Sequence, residues 1–491
     1  MTTGAQTGHG VQFRAVDGRR SSQTAGKSVF SDAAASVDAS LAAKIDRQKE
    51  WRKAYLGPVR ALVEAGARSG KDAVRIASDG LRAVHENLVF RRGDDERPLL
   101  DAIAGGGNGF ETATIEGAGT RVSTVVVPYR GVDLSGDALA RQLDAWTEAG
   151  VIEESCAAAV ADVAAHPEWL DLSDMTFALL GAGAEMGPLE SLCGWGANVL
   201  ALDLPRPELW ERIGGVARSG GGRVSFPRAA GGSPPGIDFL TQTPEALAWL
   251  RSFDGSLVAG NYAYSDGSNF LRLAGALDAL TVGLQRERPG ISIAYLATPT
   301  DVFAVPESVV ERSHARPAGR LSGAARAVTF GRMFSPNYPG IVAGENGRRW
   351  GIADSLVPQQ GPNYALAKML QRWRAVVARE EGTVTSANVA PATRTRSVVK
   401  NRVLALAYRG AGAFGVEVFE PATSRALMAA LLVHDLRNPA APANPETHLD
   451  HPFDLFVDAA AHGGLWTLAY APRSVLPLAA GIGLVRRGAA S

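Results

Sequence analysis

Residues 175–204 read MTFALLGAGAEMGPLESLCGWGANVLALDL, and the residue types come in an order with a chemical use. Gly181, Gly183 and Gly187 follow an apolar run, and a second apolar run closes on Asp203. Glycine lets a chain turn sharply and lets its backbone approach a phosphate, towards which a helix starting there turns unpaired N–H groups. A carboxylate about twenty residues further on can hold the hydroxyl pair of a ribose. The pattern predicts strand, glycine turn, helix and strand, with a nucleotide as ligand.

A second constellation lies downstream. Gly361-Pro-Asn-Tyr364-Ala-Leu-Ala-Lys368 opens a helical stretch in which Tyr364 and Lys368 stand one turn apart on the same face. Alone, the pair reads as well as a packed tyrosine beside an exposed lysine. A strand pattern over 383–390 follows it and leads into Pro391-Ala-Thr-Arg-Thr395.

Holding these residues together needs a scaffold. Between the two constellations, helical patterns over 207–216, 243–253 and 270–286 alternate with apolar runs over 222–227, 256–263 and 291–297. Such alternation implies an α/β fold with a doubly wound parallel sheet, Rossmann-like, whose ligands lie at the carboxyl ends of the strands. Asn261 and Thr298 fall at such ends. Residues 1–30 are poor in apolar side chains and read as a disordered lead-in. Residues 31–170 read as a mainly helical N-terminal region, with Trp51, Tyr55, Val59 and Leu62 on one face and a β-hairpin formed by 110–115 and 121–127. The Rossmann-like unit takes 171–491. It carries an arginine-rich insertion at 303–360, with Arg312, Arg316, Arg320, Arg326 and Arg332 as surface cations able to face an anion, and a C-terminal substrate or interface segment at 400–491. Within that segment a helix near 402–408, a strand at 415–419 and a helix over 422–436 are expected.

In this arrangement the chain resembles the short-chain dehydrogenase/reductase superfamily over about residues 175–397. The segment from Gly181 to Gly187 is similar to the T-G-x-x-x-G-x-G turn, with Leu180 for the threonine and Glu185 for the middle glycine. Asn261 in Gly-Asn-Tyr-Ala is similar to the N-N-A-G segment. Thr298 stands where the family has a serine, Asn269 matches a helix asparagine, Tyr364 and Lys368 match Y-x-x-x-K, and the stretch from Pro391 to Thr395 is similar to P-G-x-x-x-T. The family's short gap between serine and tyrosine is stretched here by the insertion. The resemblance implies an NAD(P)-dependent oxidoreductase that interconverts an alcohol and a carbonyl. Tyr364 would be the acid/base, Lys368 would lower its pKa and hold the ribose, Thr298 would bind the substrate oxygen and Asn269 would serve a proton relay. Gly181, Gly183, Gly187, Asp203, Asn261, Lys368, Pro391 and Thr395 would bind the cofactor. Asp203 favours NAD, because a carboxylate repels a 2′-phosphate, while Arg206 keeps NADP open.

Two other readings compete. The fold that binds S-adenosylmethionine for methyl transfer uses a similar turn and acidic strand end, usually with an acid two residues before the first glycine, where this chain has Leu179. A Rossmann-fold binding protein that has lost catalysis would share the scaffold.

Composition narrows the partners. The 491 residues carry 50 basic and 50 acidic side chains, which gives no overall basic field for nucleic acid. No apolar run reaches the length of a membrane helix, so no membrane insertion is expected. Two cysteines, Cys156 and Cys193, form no disulfide framework, consistent with a cytoplasmic location. No metal is expected, and His451 and His462 read as structural. The apolar tail suits a small-molecule substrate of apolar or acyl type and the interface of a homo-oligomer.

Overall fold

The computed structural model describes residues 8–107, 109–229, 231, 234–316, 326, 328–329 and 332–488. Its largest sheet has seven strands: β1 (Phe110–Glu116), β2 (Thr176–Leu180), β3 (Asn198–Leu202), β4 (Arg223–Ala229), β5 (Leu257–Asn261), β6 (Ser292–Ala297) and β7 (Thr385–Val389). Their order is β7-β6-β5-β2-β3-β4-β1. Strands β2 to β7 run parallel, and β1 pairs antiparallel with β4. From β2 the chain fills the sheet outward to β4, then crosses to β5 and fills the other side. This is a mixed α/β architecture compatible with a Rossmann-like fold, and the reversal between β2 and β5 opens a crevice at the strands' carboxyl ends.

Strands β2, β3, β5 and β6 are apolar at nearly every position because helices cover both faces. In β2, Ala178 and Leu180 enter one core while Phe177 and Leu179 enter the other. The helices around the sheet include α1 (Ser22–Ala35), α2 (Gly70–Asn87), α3 (Leu189–Gly194), α4 (Ser268–Glu287), α5 (Pro362–Glu380), α6 (Arg402–Gly410), α7 (Pro421–Arg437) and α8 (Pro472–Gly488). On the first face α4 and α5 lie against the sheet, and α1 and α2 pack over α5 as a further layer. On the second face α7 packs between the sheet and Glu154–Ala165. No described helix is long and apolar enough to cross a membrane.

Several expectations need correction. The disordered lead-in over 1–30 does not hold for its described part. His9–Phe13 is a strand paired with Leu88–Arg92, and α1 starts at Ser22 with Ser21 accepting from the Thr24 N–H. Val16 is exposed, but Val11, Phe13, Val29 and Phe30 are buried, so sparse apolar content was sufficient. Residues 1–7 lie outside the described residues. The hairpin of 110–115 with 121–127 is absent. Residues 110–116 instead form edge strand β1, and Val127–Tyr129 pairs with Val132–Leu134. The strand expected at 415–419 is instead irregular chain that leaves a left-handed Gly415 and makes a single parallel bridge, Phe419 to Thr393. Within the insertion, Val302–Pro306, Val342–Ala343 and Arg349–Asp354 form a small antiparallel sheet against the helix Leu56–Arg68. Arg312 pairs with Glu153, Arg316 donates to the Ala149 carbonyl, Arg326 and Arg332 are exposed, and Arg320 lies outside the described residues.

Candidate active site

The crevice widens into a cavity of about 970 Å³. Its floor is built by strand ends. At the end of β2, Gly181 turns the chain with φ +94°, in the left-handed region, and a Cβ there would sit 2.5 Å from the Ala263 backbone. No other residue type fits that contact. A Cβ on Gly183 would lie 2.2 Å from Leu209 Cδ1. Gly187 has no such constraint, its nearest neighbour being 3.4 Å away. The helix after the turn is short: α3 spans six residues, and a Trp195-Gly196 turn ends it.

Asp203 stands just past the end of β3 and clamps the turn. Its Oδ2 accepts from the Gly183 N–H at 2.8 Å and its Oδ1 from the Leu204 N–H at 2.8 Å. Burial pushes this carboxyl up, against the pull of those two donors. Arg206, Arg212 and Asp238 line the same end of the cavity. Glu185, inside the turn, accepts from the Arg396 N–H at 2.8 Å, which ties the turn to the loop after β7. Pro391 and Thr395 line the wall on that loop.

At the middle of the cavity three sequence-predicted residues come together. Thr298 follows β6 directly, and α5, begun at Gly361-Pro362, carries Tyr364 and Lys368. Tyr364 lies beside the Thr298 and Gln360 side chains, and burial pushes its phenol up to about 12 against the pull of their polar groups. Thr298 Oγ1 lies 3.0 Å from Thr300 Oγ1, and Gln360 donates to the Thr300 carbonyl and hydroxyl at 3.0 and 3.1 Å. Lys368 Nζ donates to the Leu296 carbonyl at 3.1 Å and to Gln371 Oε1 at 3.0 Å. Burial pushes this ammonium down to about 8, with Asp301 opposing. Asp301 is itself buried, 3.3 Å from Arg372 Nη2.

Asn261 ends β5 and lines the cavity, buried, with an Oδ1 that has no hydrogen-bond partner in the described protein. Ser355 Oγ is in the same position. Buried polar atoms are nearly always paired, and these two residues border the cavity, where a polar ligand would offer them partners. Asn269 is not part of the site. It is exposed in the first turn of α4, accepts from Arg272, and does not line the cavity. The chain between Asn261 and α4 is taken up by a turn through Gly267, which leaves Asn269 on the outer face.

Sequence reasoning missed four contributors. Phe270 and Tyr264 enclose Tyr364, with ring centroids 5.6 and 6.4 Å away. Gln360 and Asp301 sit inside the insertion or at its border, where no periodicity marks them. Tyr55 is a fifth participant at one remove. From the N-terminal region it donates to the Val357 carbonyl and accepts from the Gly361 N–H, both at 3.1 Å, which fixes the start of α5.

The other end of the cavity is apolar, walled by Leu404, Tyr408, Phe414, Leu468, Val475 and Leu476 from the C-terminal segment. His451 and His462 stand outside it. His451 bonds the Gly66 carbonyl and His462 bonds Glu153. No family model, curated protein or solved structure matches the chain.

Proposed function

We propose that the chain is an NAD(P)-dependent oxidoreductase that interconverts an alcohol and a carbonyl. The observation that carries this reading is the meeting of Thr298, Tyr364 and Lys368, residues from distant parts of the sequence, in one cavity continuous with the Gly181 turn. Three features of the cavity support a dinucleotide: the turn that puts Gly181 and Gly183 on its wall, the unpaired Asn261 Oδ1, and Asp203 at the end of β3. Glu185, an anion where a pyrophosphate would pass, lines the cavity with its carboxylate tied to the Arg396 N–H. Asp203 supports NAD over NADP, since a 2′-phosphate would meet a carboxylate.

A nicotinamide bound there supplies or accepts the hydride. The protein's own part is to handle the proton and orient the oxygen. Tyr364, neutral across the physiological range because its phenol titrates near 12, holds a proton ready for a carbonyl oxygen. Thr298 offers a second hydroxyl to that oxygen. Phe270, Tyr264 and the apolar wall exclude water, which strengthens both contacts. Lys368 places positive charge one helical turn below the phenol and stabilises the phenolate left after transfer. The apolar end suits a substrate with an aliphatic or acyl portion.

Titrating the protein with NADH and NADPH, followed by fluorescence, tests the reading first. Binding of one of them, together with Tyr364→Phe that keeps the affinity while lowering turnover by about 10² or more, supports it. Failure of all four oxidised and reduced nicotinamide dinucleotides to bind removes it.

A further inference from the structure

The chain as a whole is electrically balanced, but two of its segments are not. Residues 394–416 carry Arg394, Arg396, Lys400, Arg402 and Arg409, and residues 470–491 carry Arg473, Arg486 and Arg487, with no Asp or Glu in either. The fold brings the described parts of these segments, with side chains up to residue 485, together. A Cβ on Gly410 would lie 2.0 Å from the Ala479 carbonyl and one on Gly483 2.0 Å from the Leu406 carbonyl, so α6 and α8 cross in backbone contact. Leu404 and Tyr408 of α6, with Val475 and Leu476 of α8, face the cavity. Away from the cavity stand aliphatics that no described residue covers: Val399 just before α6, Val403 on α6, and Leu484 and Val485 on α8 are 50, 47, 54 and 75 % exposed. Arg402 and Arg409 are exposed beside them. Neither makes an ion pair among the described residues, whereas Arg394, Lys400 and Arg473 are paired with Glu420, Asp266 and Asp354.

We propose that the outer face of α6 and α8 docks on an anionic lipid bilayer. Aliphatic side chains ringed by unpaired cations on a helix surface are the chemistry that sits at a headgroup boundary. The aliphatics enter the acyl edge and the cations meet the lipid phosphates. A second copy of this chain is a poorer occupant. A two-fold contact would set this basic face against itself, with like charges opposed. A protein partner would be expected to meet aromatic anchors, and this face presents none. The docking surface does not depend on the redox reading, because none of Val399, Arg402, Val403, Arg409, Leu484 and Val485 lines the cavity.

Co-sedimentation of the full chain with vesicles tests it. Binding is expected to vesicles of phosphatidylcholine with phosphatidylglycerol, weaker on the order of tenfold or more on phosphatidylcholine alone, and reduced by salt. Val403→Asp with Leu484→Asp should abolish it. Arg402→Gln with Arg409→Gln, at exposed positions that leave the fold intact, should lower it roughly tenfold or more on anionic vesicles. Protein that stays in the supernatant with anionic vesicles overturns the proposal, as does binding indifferent to both variant pairs. A concentration-dependent dimer dispersed by Val403→Asp would assign the face to a second copy and also overturn it. Nicotinamide binding, read separately, is expected to be unchanged in all these variants.

Discussion

Lys368 is the residue at which stability and the proposed chemistry pull apart. Burial lowers its ammonium from 10.5 to about 8, which corresponds to about 3 kcal/mol of destabilisation at neutral pH. The folded value lies below the unfolded one. The penalty is therefore fully present below about pH 8 and fades as pH rises towards 10.5, where both states are neutral. Lys368→Met should raise the unfolding free energy at pH 7 by up to about 3 kcal/mol, less the two hydrogen bonds to Leu296 and Gln371. It should abolish turnover at the same time. Chemical denaturation at pH 7 and pH 10 checks the sign, the gain being larger at pH 7. In the native protein, carbonyl reduction should hold level to about pH 7 and fall as Lys368 loses its proton near 8, while the Tyr364 phenol stays protonated. A rate that holds until pH 10 would assign the alkaline limb to another group.

At the scale of elements, the glycine turn separates two requirements that a sequence pattern merges. Gly181→Ala forces an L-residue to φ +94° and drives its Cβ against the Ala263 backbone, so a loss beyond about 3 kcal/mol, or insoluble protein, is expected. Gly187→Ala meets only ordinary contact distances and should change stability by less than about 0.5 kcal/mol. A fall in nicotinamide affinity in that variant would place the cofactor's phosphates beside it. Thermal unfolding and cofactor titration of the two variants provide the check. The loop before α5 is held in another way. Tyr55→Phe removes the one oxygen that bonds both Val357 and Gly361 and should cost about 1 to 3 kcal/mol by urea unfolding. Because Tyr364 stands one turn into α5, the proposed turnover should fall with it.

These elements also explain what the sequence disclosed. Most of the parallel strands and the helices between them were legible because burial on two faces makes the central strands β2, β3, β5 and β6 largely apolar and helices keep their own period. Thr298, Tyr364 and Lys368 were legible because each lies at a fixed place on such an element. Strand β1 misled because an edge strand, alternating in its exposure, looks the same whether it pairs with its successor or with β4. Asn269 misled because a short link reveals nothing of which side a helix presents. Gln360, Asp301 and Tyr55 act through long-range contacts, Tyr55 from about three hundred residues away, and no local pattern records them.

At the scale of the whole molecule, the question is how the N-terminal helices stay fixed over α5, since Tyr55 can act only if they do. Asp278, on α4, joins three helices. It accepts from Arg374 of α5 at 2.7 and 2.9 Å and lies 2.8 Å from His85 Nε2 of α2. Burial alone would push this carboxyl up, but the Arg374 guanidinium outweighs it, with help from His85, and holds it well below the ordinary carboxylate range. Asp278→Asn keeps the shape, removes the charge and leaves Arg374 buried and uncompensated, at a cost of about 3 to 5 kcal/mol at pH 7. The folded pKa is depressed, so this contribution is present above the unfolded value near 4 and drains away as pH falls through the folded one. The difference between native and variant unfolding free energies should therefore be smaller at pH 3 than at pH 7. Equal differences at the two pH values would mean that the aspartate acts through packing alone. Since α2 and α5 are the helices being joined, protection of the α2 amides from hydrogen exchange should fall in the variant together with that of the residues before Tyr364, whereas a purely local defect would spare one of the two.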